Sequence, residues 1–195
     1  MSRKNIETRN RILNAAWTLL ETAPEKGVRM ADIAKEAGIS RQAVYLHFPK
    51  RAELLKAVTR YIDDVKDVDK RLEKSRNAQN GVERLEAFIE AWGNYIPEIY
   101  GVIKAVWAMK ETDAEAKEAW EDRWQAVREG CEAAVYALKD DRKLRTDLSV
   151  KEATDLLWVQ LSVGNWELLV RENNWRQEQY VDQMKEIAIR YLIKN

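Results

Sequence analysis

The sequence predicts an all-α protein in two parts, a small N-terminal three-helix unit and a larger C-terminal helical bundle. Three observations predict it. Only 7 glycines and 3 prolines interrupt 195 residues, of which 46% are hydrophobic, enough to bury a sizeable core. Apolar residues recur at steps of three and four along most of the chain, the period of an amphipathic helix. From Met30 to Leu55 the segment MADIAKEAGISRQAVYLHFPKRAELL carries the start and stop signals of two short helices joined by a tight turn.

In chain order, the second helix of the N-terminal unit runs from Met30 to Ala37 with Ile33, Ala34 and Ala37 on one face, and Gly38 stands where a left-handed C-cap ends it. Ser40 caps a third helix, Arg41 to His47, and Pro49 stops it. Two helices crossing steeply over so short a turn need a small residue at their closest approach. Ala34 supplies it, and Val44 closes the core beneath both. The opposite face of the third helix presents Arg41, Gln42 and Tyr45, donors and an aromatic suited to a major groove.

Lys50 and Arg51 open the next helix, whose stripe of Leu54, Leu55, Val58, Ile62 and Val65 ties it to the body. This helix is expected to end in the charged stretch near Lys74 to Asn80. A second stripe, Leu85, Phe88, Ile89, Trp92 and Ile96, is expected to break at Pro97, with a short apolar helix following over Val102 to Met109. Trp120, Trp124, Val127, Cys131, Ala134 and Leu138 then mark one face of a long helix from Ala114 to Leu138, and Asp140 to Lys143 is a solvated connection. Val150 to Val170 is apolar nearly all round, and a last helix spans Gln177 to Ile193.

Charge is unevenly divided. Residues 1–51 hold 10 Lys and Arg against 5 Asp and Glu, and the remaining 144 hold 23 against 28, so a net charge of zero conceals a basic head and an acidic body. Basic clustering is the electrostatic footprint of phosphate binding. The N-terminus MSRKNIETRN has no apolar signal region and no stretch approaches a membrane span, which points to a cytoplasmic protein without a membrane partner. The single cysteine, Cys131, excludes an internal disulfide framework and suits a reducing compartment.

The residues from Arg9 to Leu55 resemble the TetR family of bacterial transcriptional regulators. Arg11-Ile12-Leu13-Asn14-Ala15-Ala16-Trp17-Thr18-Leu19-Leu20 is similar to the family's first-helix pattern. Ile33-Ala34, Ala37-Gly38-Ile39-Ser40 and Val44-Tyr45 with His47-Phe48 follow its two-helix core. Three positions depart from the pattern: Arg29 replaces the Thr that commonly opens the second helix, Ala43 replaces another Thr, and Arg51, after Lys50, replaces a Lys. A guanidinium at residue 29 offers phosphate binding in place of a hydroxyl cap, while at residue 51 charge is kept and hydrogen-bond geometry changes.

Roles follow from position. Arg41 and Gln42, at the start of the recognition helix after Ser40, are assigned to base edges, Arg suiting guanine and Gln adenine. Tyr45, His47, Lys50 and Arg51 flank the groove and are assigned to phosphates, and Arg3 with Lys4 extends as a basic arm. His47 also reads as a helix C-cap residue, and Tyr45 as a half-buried core aromatic.

The division expected is a DNA-binding domain over 1–51 and an effector-binding and dimerisation domain over 52–195. Trp92, Tyr95, Trp107, Trp120 and Trp124 fall on the helices that enclose the effector cavity in the resembled family. Two readings stay open for them, a pocket for a flat aromatic or lipophilic cation, or bulky core filling. Trp158, Leu161, Gly164, Leu168, Met184, Ile187 and Tyr191, on the last two helices, form the expected four-helix dimer interface, with an intramolecular core as the alternative. A two-fold protein reads a two-fold operator, with recognition helices roughly 34–36 Å apart. Rotating the long helix from Lys50 onward changes that separation, so the resemblance implies a repressor released by a small effector. Repression is the default outcome of occupying promoter DNA, although an activator fits the same residues.

An enzyme has little to stand on. His47 is the only histidine, Cys131 has no thiol partner for a metal, and no phosphate-cradling glycine loop is present, so neither a cofactor nor a metal is expected. Pairs such as Glu118 with Glu121, and Glu121 with Asp122, sit on charged faces that solvation explains. A helical dimeric adaptor that binds protein partners is the remaining alternative.

Overall fold

A computed structural model of the chain describes residues 3–22 and 28–194, and among these it contains helices and no strand. One isolated bridge joins Leu144 to Ile193. The described residues gather into two compact units, one reaching to Val68 and including Ile99–Trp124, the other made of Asp69–Glu98 and the residues from Gln125 onward.

In the first unit, α1 (Arg3–Thr22) packs on α2 (Met30–Glu36) and on α4 (Arg51–Val65), and α2 packs on α3 (Arg41–His47). The core takes Ile12, Leu13, Ala16 and Leu20 from α1, Ile33 and Ala34 from α2, Val44 from α3 and Leu54, Leu55 and Val58 from α4, none more than 4% exposed. Each fully buried Leu, Ile or Val in this set contributes about 1.5–3 kcal/mol. Val102 and Ala105 of α6 (Gly81–Met109), with Ala116 and Ala119 of α7 (Ala114–Asp140), complete the cluster. Because α1 begins at Arg3, Arg3 and Lys4 form its first turn rather than an extended arm, and Arg3 pairs with Glu7 one turn on.

α4 does not continue to Lys74. It ends at Val65, Asp67 adopts a left-handed conformation at φ 52°, and a separate helix, α5 (Val68–Arg76), starts at the next residue. Aspartate tolerates that conformation better than most residues, so a charged stretch conceals a helix break.

In the second unit, α6 runs unbroken through Pro97. A proline cannot donate to the carbonyl four residues earlier, here that of Gly93. Gln177 Nε2 supplies the missing bond to Gly93 O at 2.8 Å, and the helix survives. The apolar run from Val150 is, conversely, not one helix. α8 (Val150–Gln160) stops at Leu161, a short α9 (Val163–Trp166) follows, and a π-helical turn covers Glu167–Glu172 before α10 (Gln177–Leu192). Ser162 caps α9 by accepting from Asn165 N, while Asn165 Nδ2 donates to the carbonyls of Val159 and Gln160, and Trp92 Nε1 to that of Leu161 at 2.9 Å. The break is therefore satisfied by hydrogen bonds to the groups it frees.

Gly81 opens α6 against the backbone at the end of α7: a Cβ there would lie 2.5 Å from Leu138 N and 2.6 Å from Ala137 C. Backbone cannot step aside as a side chain can. Gly81→Ala is expected to cost about 1–3 kcal/mol and to lower the thermal midpoint by about 2–4 °C for each kcal/mol; an unchanged melt would contradict this close approach.

Candidate nucleic-acid interface

Gly38 takes φ 62°, the left-handed conformation that ends α2. Gly38 N donates to Lys35 O at 3.2 Å and Ile39 N to Ala34 O at 3.0 Å, the paired bonds of a Schellman turn. Ser40 Oγ then accepts from Ala43 N at 3.1 Å and starts α3. Val44 is 0% exposed beneath it, so the turn fixes α3 with its other face outward. Phe48 ends the helix, buried, with the Arg9 guanidinium 5.1 Å from its ring centre.

Arg41, Gln42 and Tyr45 are exposed on α3. Arg41 Nη2 donates to Tyr45 Oη at 3.3 Å, and its guanidinium lies 5.5 Å from the Tyr45 ring centre, so the two side chains form one unit along a flank of the helix. His47 is half-buried at the C-terminal turn, and Lys50, the N-cap residue of α4, is exposed. Arg29 takes the N-cap position of α2 with no side-chain cap bond. Its exposed guanidinium bonds both oxygens of Asp32, at 2.7 and 3.2 Å, and holds that carboxyl below its usual range.

Arg51 is placed otherwise than the phosphate assignment requires. Its side chain is 16% exposed and turns inward, donating to Val28 O and to Asp113 Oδ2, the latter at 2.6 Å, with Glu115 3.5 Å away. Burial pushes the Asp113 carboxyl up, but the Ala116 and Glu115 N–H groups and Arg51 outweigh burial and leave it below its ordinary value. The guanidinium serves the protein's own carboxylates and the Val28 carbonyl in place of the phosphate assigned to it.

Farther along α4 the pairing continues: Lys56 with Glu118, Arg60 with Asp122 at 2.8 Å, and Asp63 with Arg123 at 2.7 Å. Glu118 and Asp122 are thus not merely solvated, as their sequence context implied; they face cations on α4.

The five aromatic residues fall into two groups. Trp107, Trp120 and Trp124 stack in the first unit at centroid separations of 5.6 and 5.9 Å, each half-buried, with Lys110 Nζ 5.6 Å from the Trp107 ring and 5.5 Å from the Trp120 ring. In the second unit Trp92 meets Tyr95 edge-on at 6.3 Å, and Tyr95, 4% exposed, lies beneath the Arg71 guanidinium. A cleft of about 320 Å³ in that unit is lined by Lys74, Glu83, Glu86, Glu90 and Lys185 with two alanines and contains none of the five.

Of the residues expected at a dimer interface, Leu161 and Met184 are buried within the protomer, at 0% and 4% exposure. Trp158 lies 5.9 Å from the Arg128 guanidinium, Tyr191 Oη donates to Gln160 Oε1 at 2.7 Å, and Gly164 is half-buried in α9. Leu168 and Ile187 are exposed, and so are Leu156, Val159 and Tyr136, which the interface assignment omitted.

Residues 12–58 match the family model described as bacterial regulatory proteins, tetR family. Among curated proteins, the nucleoid occlusion factor SlmA of a Marinomonas species is 34% identical over 64 residues, 33% of this chain and 32% of that one. The chain thus matches about a third of that relative's length. The SlmA protein of Vibrio cholerae is 24% identical over 161 residues, 81% of this chain and 80% of that one. Among solved structures, a putative transcriptional regulator from Saccharomonospora viridis, in complex with choline, has a TM-score of 0.74 at 19% identity over 97% of this chain and 100% of that one. NalD of Pseudomonas aeruginosa, described as the secondary repressor of the MexAB-OprM multidrug efflux pump, has a TM-score of 0.69 at 19% identity over 99% of both chains. At these identities the likeness shows a shared fold.

Proposed function

We propose that this chain, which belongs to the TetR family of bacterial regulatory proteins, is a ligand-responsive transcriptional regulator that binds a two-fold operator as a homodimer. One observation carries the proposal: the Gly38 turn and the Ser40 cap hold α3 with Val44 inward and with Gln42 and the Arg41–Tyr45 pair exposed toward solvent, where a major groove can receive them. Exposed Lys50, the N-cap residue of α4, and Arg29, whose exposed guanidinium is paired with Asp32, are the basic side chains assigned to phosphates. Repression is the simplest action, since a dimer seated on promoter DNA blocks polymerase.

Effector control is best supported through the first unit. Trp120 and Trp124 share a helix with Glu118, Asp122 and Arg123, which pair with Lys56, Arg60 and Asp63 of α4. A flat or cationic effector that inserts at the tryptophan stack and displaces Lys110 shifts α7, and the ion pairs carry the shift to α4. Coupling of this kind requires different effector affinity in the two states. The choline-bound fold neighbour supplies a precedent for a quaternary ammonium effector. Quenching of tryptophan fluorescence by aromatic or quaternary ammonium compounds, together with release of DNA, is the expected result of a ligand titration.

DNA retention tests the primary reading. The full chain, mixed with the DNA upstream of its own gene, is expected to bind at low salt and to lose about 10³–10⁵ in affinity between 50 and 200 mM salt if it contacts 6–10 phosphates. A helical adaptor or an enzyme shows no such dependence, and failure to retain that DNA even at low salt overturns the proposal.

A further inference from the structure

Leu46 is 80% exposed on a helix of seven residues whose inner face is sealed by Val44 at 0%. No other large hydrophobic side chain among the described residues stands so far into solvent; the next is Val159 at 62%. The helical period explains where it points. At about 100° per residue, both Gln42 and Leu46, two positions either side of Val44, lie about 160° from the buried direction, whereas Arg41 and His47 lie only about 60° from it. The centre of the outward face is therefore Gln42 followed one turn later by Leu46. Arg41 is drawn to the flank, where its guanidinium is held by Tyr45 Oη at 3.3 Å and over the Tyr45 ring.

An apolar side chain at the centre of a groove-reading face has one complementary partner there. Apart from small C–H edges such as cytosine C5–H, the groups that base pairs display in the major groove are hydrogen-bond donors and acceptors, and the one bulky apolar group is the C5-methyl of thymine. We infer that Leu46 is a specificity residue that packs on a thymine methyl, beside a base read by Gln42, and that Arg41 serves the backbone at the flank. The inference rests on the DNA-binding reading above and deepens it, replacing Arg41 by Leu46 as the partner of Gln42 at the base edges. It makes each half-site contain a thymine at a fixed step from the Gln42 contact.

The test uses the full chain and random double-stranded DNA. Sequences retained by the natural protein are expected to share a thymine at one position of each half-site, and those retained by Leu46→Ala to lose that preference. At that position, replacing thymine by uracil removes only the methyl group and is expected to weaken the natural protein about three- to tenfold, a methyl-sized contact, with Leu46→Ala unaffected by the replacement. Because Leu46 touches solvent, the variant is expected to keep the helical spectrum and melting of the parent. Unchanged affinity of the natural protein for the uracil-containing site overturns the assignment of Leu46 while leaving DNA binding intact. A uniform loss by Leu46→Ala on all sequences overturns it also. If the natural protein retains no DNA at low salt, the DNA-binding reading itself falls, and the assignment with it.

Discussion

Val159→Asp is expected to convert the proposed homodimer to a monomer and to lower affinity for a two-fold operator by about 10²–10⁴, the advantage that linking two half-site contacts confers. Val159 is 62% exposed, with Leu156 at 49% on the same helix, Leu168 at 50% on the π-helical turn and Ile187 at 42% on α10. A protomer that leaves four aliphatic side chains in water on neighbouring elements has an apolar patch of the kind that a second copy covers. A charge at residue 159 must be buried without a partner for a dimer seamed there to persist, which is prohibitive. The protomer itself has no reason to unfold, since residue 159 already faces solvent. Sedimentation and DNA titration on the same sample check both halves of the expectation. A dimer that withstands Val159→Asp places the seam elsewhere.

Arg51→Met is expected to destabilise the fold by about 2–3 kcal/mol without abolishing DNA binding. Hydrogen bonds to charged groups contribute about 1.5–3 kcal/mol each, and this guanidinium makes bonds to Asp113 and Val28 O while 16% exposed. The expectation separates two roles cleanly. A phosphate contact at residue 51 would cost affinity and salt dependence with no change in melting; a clamp costs stability first. Acid makes the same point. The Asp113 carboxyl sits below its ordinary value in the folded chain, so its contribution is present above an unfolded carboxylate value of about 3.9 and is lost as pH falls through the folded one. Denaturant midpoints measured from neutral pH downward are expected to drop below about pH 4 in the natural protein, and less steeply in Arg51→Met, whose Asp113 has lost part of what depressed it. Parallel curves for the two proteins would contradict the clamp.

How much of this was legible depended on the range of the interaction. Gly38, Ser40, Val44 and the bounds of α3 could be read because caps and turns are local chemistry, decided within five residues. Pro97 misled because the rescue of its helix comes from Gln177, 80 residues away in sequence and invisible to any local rule. Ser162 and Asn165 were inside an apolar run, where hydrophobicity masked a capping pair that ends one helix and begins another. The α4–α7 ion pairs show the same limit: both charge rows were visible, but not that one faces the other. Arg51 went to the wrong partner because a basic residue beside a recognition helix reads as a phosphate ligand until Asp113 is placed against it. Leu46 was passed over since apolar residues are read as core, although counting two residues from Val44 puts it at the centre of the outward face.

The claim on which the rest depends is that two copies of the α2–α3 pair read one two-fold site. Footprinting the full chain on the DNA upstream of its gene measures this most directly. The expected pattern is a protected segment with two-fold sequence symmetry, occupied by two chains, its half-site centres roughly 34–36 Å apart along the duplex. Protection of an asymmetric site by a single chain, or none at low salt, would contradict it.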